Sequence, residues 1–406
     1  MDRRAALSLL GAGFVAGFVP WTGANAENRR LRGYIRTNWS RDPYSRGSYS
    51  YVARGARQRD RRRIESPVNG RIFFAGEAVY PDYNSTVHAA YESGQRTAGF
   101  VLDRDLKKVA IVGAGMSGLS AASRLAAEGV EVTIFEARDR IGGRIWTDNH
   151  LGLPLDLGAS WIHGITGNPL TGLADELALK RIATDDSGVI RGRGGRLIPD
   201  GSAPDWLEEV VEVQHSAGAN DDQINYLAYL LQDDYDGDEV IFPGGYAAIF
   251  RALDGNYSVK LSSPVSGIKQ ERSGVSVITA VSGSQMFDAV IVTLPLGVMK
   301  KDTVRFDPPL PAKKRKAIER LGMGTLDKVY FLFDAPFWDT DVTWIATPEN
   351  DLPPGQFNGW LNLHKYTGQP VIMAFNGGPP ALELAGLPDN EIVQRGLQTL
   401  LGAYPD

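Results

Sequence analysis

The chain has 406 residues, 43% of them hydrophobic and 22% charged, with 46 glycines, 23 prolines and a formal charge of −5. That length asks for two domains rather than one core, and the acidic balance gives no electrostatic ground for a nucleic-acid partner. No cysteine is present, which excludes disulfides, thiolate catalysis and cysteine-ligated metals; the five histidines (His88, His150, His163, His215, His364) lack metal-ligand spacing, so no metal is expected.

The first segment, "MDRRAALSLLGAGFVAGFVPWTGANAEN", sets Arg3 and Arg4 before a mildly apolar run from Ala5 to Val19 and closes on the small-x-small pattern Ala24-Asn25-Ala26. The run is too short and glycine-rich for a good membrane span. Residues 1–26 therefore read as a signal peptide of the twin-arginine type, a route that exports proteins already folded around a cofactor. The expected location is the bacterial periplasm, without a stable membrane anchor. "RGARQRDRRR" (Arg54 to Arg63) reads as a solvated loop.

Further on, the apolar run Val109 to Val112 enters the turn "GAGMSG", which places Gly113, Gly115 and Gly118 in G-x-G-x-x-G register around Met116 and Ser117. The first glycine permits the tight turn, the second lets backbone approach a pyrophosphate, and the third lets helix pack close to strand. "SGLSAASRLAAEG" continues as a helix stopped by Gly129. "EVTIFEA" is a second strand ending at Glu136, 18 residues beyond Gly118, where a ribose would offer its hydroxyls. Strand, turn, helix, strand and acid in this order predict a dinucleotide site. "EARDRIGGRIWTD" then adds Ala137, Arg138 and a second glycine loop, Gly142-Gly143-Arg144, which favours FAD, engaged along its length, over NAD.

Glu136 followed by Gly142-Gly143-Arg144 resembles the fingerprint of the flavin-containing amine oxidases, the family of polyamine oxidases, monoamine oxidases and histone lysine demethylases. "LPLDLGASWIHGITGNP" (Leu153 to Pro169) is similar to that family's loop over the flavin. "VIVTLPLGVMK" and "PPLPAKKRKAIERLGMGTLDKVYFLFDAPFWD" resemble later blocks, and "IRTNWSRDPYSRGSYSYV" and "RIFFAGEAVYPDYNSTVHAAYESGQRTA" resemble the final two. The resemblance covers most of the chain beyond residue 26. It implies an α/β fold: a Rossmann-like, doubly wound FAD-binding domain plus a mixed α+β substrate-binding domain.

The blocks stand in rotated order. Arg36 to Ala98, which resemble the family's ending, precede Val109, and the chain stops at "VQRGLQTLLGAYPD", where the family continues into a strand like "GYIRTNWSRDP". The order reads as a circular permutation, with the old termini joined near "AGFVLDRDLKK". Such a rotation costs little where the joined ends lie close and the cut falls in an exposed loop. The expected FAD-binding domain is 45–167 plus 239–302, with 45–102 the permuted closing segment and 107–167 the Rossmann start. The expected substrate-binding domain is 27–44, 168–238 and 303–406.

Site roles follow from the same resemblance. Lys328, in "GTLDKVYFLF" on an alternating strand, matches the lysine that holds a water against flavin N5. Tyr49, in "RGSYSYV", matches an aromatic over the flavin face, where a π face attracts a cationic amine by roughly 1 kcal/mol. Ser48 stands where monoamine oxidases carry the flavin-linking cysteine, so the FAD is expected to be non-covalent. Thr86 replaces the second aromatic of monoamine oxidases and plant polyamine oxidases, leaving the cage half open as in histone lysine demethylases. His163 matches a channel histidine of animal-type polyamine oxidases, able to accept from a secondary amine and help deprotonate it. Gly76, Glu77, Thr86 and Val87 resemble the family's cofactor-contacting close; Gly158, Ala159, Ser160 and Trp161 its flavin loop. Trp39 borders flavin and substrate, and Val265 lies beside the adenine.

The implied reaction converts an amine, with polyamines preferred, to an imine that hydrolyses to an aldehyde, while O₂ becomes H₂O₂. The partners are thus a small-molecule amine and O₂. The acidic run "DDYDGDE" (Asp233 to Glu239) suits a polycation. An L-amino-acid oxidase on the same fold is the alternative; it needs an arginine aimed at a carboxylate, with Arg36 and Arg41 the nearest candidates. A non-catalytic FAD-binding relative and a dehydrogenase serving a carrier protein remain open at this point.

Overall fold

The computed structural model describes residues 29–405, so the signal-peptide reading of residues 1–26 lies outside the described residues. Five short strands form an all-parallel sheet in the order Ser258–Lys260, Glu131–Phe135, Lys108–Val112, Ala289–Val292, Ile72–Phe74. Two of the three inner strands, Lys108–Val112 and Ala289–Val292, are buried on both faces, which is why they read as continuous rather than alternating apolar runs. The helix Met116–Ala127 crosses between the second and third of these strands, as the sequence pattern predicts.

Close approach explains the small residues. A Cβ on Gly118 would stand 2.0 Å from the Gly113 carbonyl oxygen, so the third glycine of the fingerprint is required by helix–strand contact. Helix Val87–Leu102 packs on Met116–Ala127 through Gly94, whose added Cβ would lie 2.2 Å from the Ser117 carbonyl oxygen. The stretch Asp103 to Lys107 then leads from that helix into strand Lys108–Val112.

A second sheet of six strands runs Leu31–Arg36, Leu326–Phe333, Val371–Gly377, Gly359–Asn362, Trp344–Ala346, Gly188–Ile190, antiparallel except for its last pair. The segment before residue 103 therefore supplies an edge strand to both sheets. Leu326–Phe333 was expected to alternate; instead it is buried on both faces. Val329, Phe331 and Phe333 face one apolar core and Tyr330 and Leu332 another, because layers of structure cover the sheet on each side. Lys328 shares the face of Tyr330 and Leu332.

Two smaller sheets, of four and three strands, flank this frame. Val265 opens strand Val265–Gln270 of a four-stranded sheet, and Trp161–Ile162, Glu239–Ile241 and Ile182–Thr184 form a three-stranded one. The arginine run is a correction to the loop reading. Gln58–Glu65 is a helix with Asp60 and Arg61 buried, and Lys314 caps it by donating to the carbonyls of Arg63, Ile64 and Ser66. No helix among the described residues is long and apolar enough to cross a membrane.

Gly94→Ala tests the helix contact. The added methyl group must displace backbone, so overpacking is expected to cost about 1–3 kcal/mol despite alanine's better helix propensity. Thermal unfolding followed by circular dichroism should show a lowered Tm; an unchanged or raised Tm would contradict the close packing.

Candidate active site

Residues from both large sheets line one cavity of about 1930 Å³. Its nucleotide half gathers most of the glycine-rich residues singled out in the sequence. Gly113, Gly115, Met116, Ser117, Glu136, Ala137, Arg138, Gly142, Gly143, Arg144 and Val265 all line it, whereas Gly118 faces the strand behind. Gly115 and Gly143 set bare backbone against backbone, since a Cβ on Gly143 would stand 3.3 Å from Gly115 Cα. The Ser117 hydroxyl, in the first turn of its helix, is buried with no partner. Glu136 accepts from the Ala114 and Arg138 N–H groups at 2.7 and 2.8 Å, which fixes its carboxylate at the strand end and leaves lone pairs for ribose hydroxyls. A glycine cradle, an orphaned hydroxyl at a helix N-terminus and a fixed acid fit the pyrophosphate and ribose of FAD.

The side chains of two expected cofactor residues, Arg138 and Thr86, also make hydrogen bonds within the protein. The Arg138 guanidinium is bidentate to Asp42 at 2.7 and 2.8 Å and reaches Ser45, so it ties the early segment to the glycine loop. Thr86 caps helix Val87–Leu102: its hydroxyl donates to the Tyr83 carbonyl and accepts from Ala89 N–H.

Glu77 anchors a buried charge network. One carboxylate oxygen accepts from Arg144 at 2.9 Å and the other from the Ser50 hydroxyl at 2.6 Å. Arg61, fully buried, donates to Ser50 Oγ, the Ala78 carbonyl and Asn84. Burial opposes the charge on Glu77, but Arg144, Arg61 and these hydrogen bonds outweigh it and hold the carboxyl below its usual range. Arg144 also donates to the Ser48 carbonyl. Ser48 Oγ itself bonds Leu326 O and N at 2.9 and 2.8 Å, pinning the turn before Tyr49 to the lysine strand.

At the junction of the two halves lies Lys328. Its ammonium donates to Gly158 O and Ser160 Oγ at 2.6 Å and Asp156 O at 2.9 Å. Burial lowers its pKa to about 7, partly opposed by the Asp156 carboxylate, which burial in turn raises to about 6. Gly158 is sterically demanded there, since a Cβ would fall 1.7 Å from Arg144 O. Trp39, Gly76, Tyr49, Thr86, Val87, Ala159, Ser160 and Trp161 converge on the same space. Trp39 is held by Asp327 through its backbone N–H and by Leu157 O through its indole. Tyr49 donates its hydroxyl to the His215 carbonyl.

Beyond Lys328 the wall turns aromatic. Trp161 stacks near Trp344 and Phe375, with ring centroids 6.3 Å apart in each case. The Lys328 ammonium lies 5.9 Å from the Trp161 centroid and 5.8 Å from that of Phe375. His163 continues the stack and bonds Glu239 at 2.6 Å. Enclosure disfavours its charge, but Glu239 and Asp234 raise its pKa overall, so the ring is biased toward imidazolium rather than a free base. Sequence reasoning missed Trp344, Phe375, His215, Arg61 and Arg46. The aromatic residues come from separate strands with no local motif, and Arg61 was hidden in a run that looked solvated. Arg46 lines the nucleotide half beside Gly297, with Nε buried and unpartnered.

Arg61→Met should destabilise the fold by about 3–5 kcal/mol, the cost of breaking a buried charge network, whereas Arg62→Met on the exposed side should stay within about 0.5 kcal/mol. Denaturant unfolding compares them. Because Glu77 titrates lower folded than unfolded, its stabilisation is present above the ordinary value of 4.5 and lost as pH falls through its folded pKa. Glu77→Gln should therefore flatten the acid limb of stability against pH; an unchanged limb would contradict the network.

The sequence model of the family "Flavin containing amine oxidoreductase" matches residues 15–102, 116–214 and 221–406. Polyamine oxidase 4 of Oryza sativa subsp. japonica is 30% identical over 359 residues, 73% of this chain and 73% of the relative. Lysine-specific histone demethylase 1 homolog 1 of Arabidopsis thaliana is 31% identical over 358 residues, 73% of this chain and 42% of the relative. Among solved structures, cyclohexylamine oxidase from Brevibacterium oxydans IH-35A aligns with a TM-score of 0.56 at 20% identity, covering 74% of this chain and 81% of that one. A putrescine oxidase redesigned in cofactor binding aligns at 0.55 and 21%, covering 74% and 82%; at these identities both speak to the fold alone. With the glycine cradle, Glu136 and the buried lysine in one cavity, the chain belongs to the flavin-containing amine oxidoreductases, FAD-dependent enzymes that act on amines.

Proposed function

We propose that this enzyme oxidises polyamines, and the charge of the cavity mouth carries the reading. From Leu197 to Phe250 the chain holds twelve acidic residues and no lysine or arginine. Asp200, Asp205, Glu208, Glu212, Asp234 and Glu239 of this stretch line the cavity. Of the lining cations, Arg46, Arg138 and Arg144 belong to the nucleotide half, where Arg138 and Arg144 are paired, and Lys328 stands at the junction of the two halves. A low-dielectric cleft lined by one sign of charge concentrates ligands of the opposite sign. A small monoamine gains little from acids spread along a channel, whereas a polycation gains at each.

Held by the glycine cradle and Glu136, FAD would supply a hydride acceptor for the carbon bearing nitrogen, with O₂ as the final electron acceptor and with H₂O₂ and an imine, hydrolysed by water to an aldehyde, as the products. The protein's part is placement. Trp161, Trp344 and Phe375 exclude water and offer π faces to the substrate amine. The Glu239 carboxylate, with Asp234 near it, holds a charged nitrogen away from the reacting end. Lys328, with its lowered pKa, is poised to hold or move a proton, and its expected water would sit at the flavin edge. With Ser48 hydrogen-bonded into backbone and no cysteine in the chain, the FAD is held non-covalently. The amino-acid oxidase alternative loses its anchors: Arg36 is paired with Asp389, and neither Arg36 nor Arg41 lines the cavity. The rotated block order as a circular permutation, and twin-arginine export of the folded holoprotein, belong to the same proposal.

Spermidine added to the yellow holoprotein without oxygen should bleach the flavin's visible band, and admitting air should restore it with release of H₂O₂. A band unaffected by spermidine but bleached by amino acids would overturn the polyamine reading. Glu208→Gln combined with Glu212→Gln should raise KM for spermidine by about tenfold at low salt with kcat little changed, and the difference should shrink at high salt. Steady-state assays at two ionic strengths decide it.

A further inference from the structure

The cavity wall contains a second histidine. His215 follows a π-helical turn, Glu209–Gln214, a local geometry that often marks functional sites. Its ring packs 5.5 Å from the Phe375 centroid at a tilt of 44°. Gly359 makes room for it: a Cβ there would stand 2.6 Å from His215 Cε1. The Tyr49 hydroxyl donates to its backbone carbonyl, so the residue hangs from the aromatic expected over the flavin. Phe375 in turn lies beside the Lys328 ammonium. His215 thus sits by the reacting end of the cavity, apart from the His163–Glu239 pair.

The imidazole is chemically idle in the protein alone. Its Nε2 is buried with no hydrogen-bond partner, and such an orphaned group calls for a reason. Burial lowers its pKa to about 4, so the ring is neutral. Around it stand Tyr49, whose hydroxyl burial keeps protonated, Lys328 across Phe375, and Glu209 and Glu212 on its own turn. A neutral ring offers one donor and one acceptor. The residue lines the cavity, and a half-turn about its last torsion exchanges nitrogens with carbons in an almost unchanged outline.

We propose that His215 is a substrate-contacting residue whose imidazole accepts a hydrogen bond from the N–H of the amine at the reacting end, while the Glu239 carboxylate holds a second, charged nitrogen farther along. The proposal rests on the polyamine reading and refines it: the enzyme holds its substrate at two nitrogens, one by charge and one by a neutral acceptor. A neutral acceptor suits the reacting nitrogen, which must lose its positive charge before the neighbouring carbon gives up hydride.

The test compares His215→Phe, which keeps the packing on Phe375 but removes the acceptor, with His215→Gln, which keeps an amide oxygen. Each is loaded with FAD, and three quantities are read: the ratio of flavin to protein, the Tm, and the rate at which spermidine bleaches the flavin band without oxygen. Loading and Tm should match wild type in both variants. The bleaching rate should fall by about 10–100-fold in His215→Phe, the scale of one hydrogen bond lost to a buried polar site, and stay within about fivefold in His215→Gln. Equal rates in wild type and His215→Phe would overturn the proposal. So would equal loss in both variants, or loss of FAD from both, since these mark a merely structural residue. If wild type itself is not bleached by spermidine, the polyamine reading fails and this proposal with it; bleaching of wild type with no effect of His215→Phe overturns the proposal alone.

Discussion

The structure depends on one buried ionic contact, Arg144 with Glu77 at 2.9 Å. Arg144 closes the second glycine loop of the nucleotide fold, and Glu77 belongs to a segment far earlier in the chain. Neither charge is tolerable alone in that interior. Together with Arg61 and Ser50 they make a satisfied network, and such a network holds its members in one geometry because any departure leaves a charge unpaired. The Asp42–Arg138 pair repeats the device nearby. These contacts, together with strand Ile72–Phe74 and helix Val87–Leu102, bind residues 29–102 to the fold that begins at Lys108.

From that frame the division of charge follows. The nucleotide half holds its arginines in pairs, with Arg46 beside them, where a pyrophosphate needs positive surroundings. The far half is rich in carboxylates, and an aromatic wall between them places Lys328 where burial weakens its hold on a proton. Attraction at the mouth, desolvation in the middle and a polar backbone cradle behind are three environments in one cavity. An amine oxidised next to a flavin needs all three: capture as a cation, loss of charge, and a dry path for hydride.

Much of this was legible in the sequence, for physical reasons. The glycine turn was readable because Gly118 and Gly113 meet at a distance no side chain survives, and the local order of strand, helix and acid follows from chain connectivity. Glu77, Tyr49, Lys328 and His163 were found by likeness of block, and the structure brings all four to one cavity. What escaped lacked a local signal. Trp344 and Phe375 meet only because their strands lie in one sheet, and His215 shows nothing unusual until its orphaned nitrogen is seen. Arg61 misled, since an arginine-rich run says nothing about which single arginine turns inward. The strand of Lys328 misled more mildly: cover on both faces erased the expected alternation.

The central claim is that one FAD site is assembled from two stretches that line a single cavity, Ser48 to Val87 and Gly113 to Trp161. Hydrogen–deuterium exchange of the apoprotein with and without FAD tests it most directly. The account predicts that FAD protects backbone amides around Gly76 to Val87 together with those around Gly113 to Ser117 and Gly142 to Arg144. Protection confined to the glycine-rich stretches, with residues 76–87 exchanging as before, would contradict it.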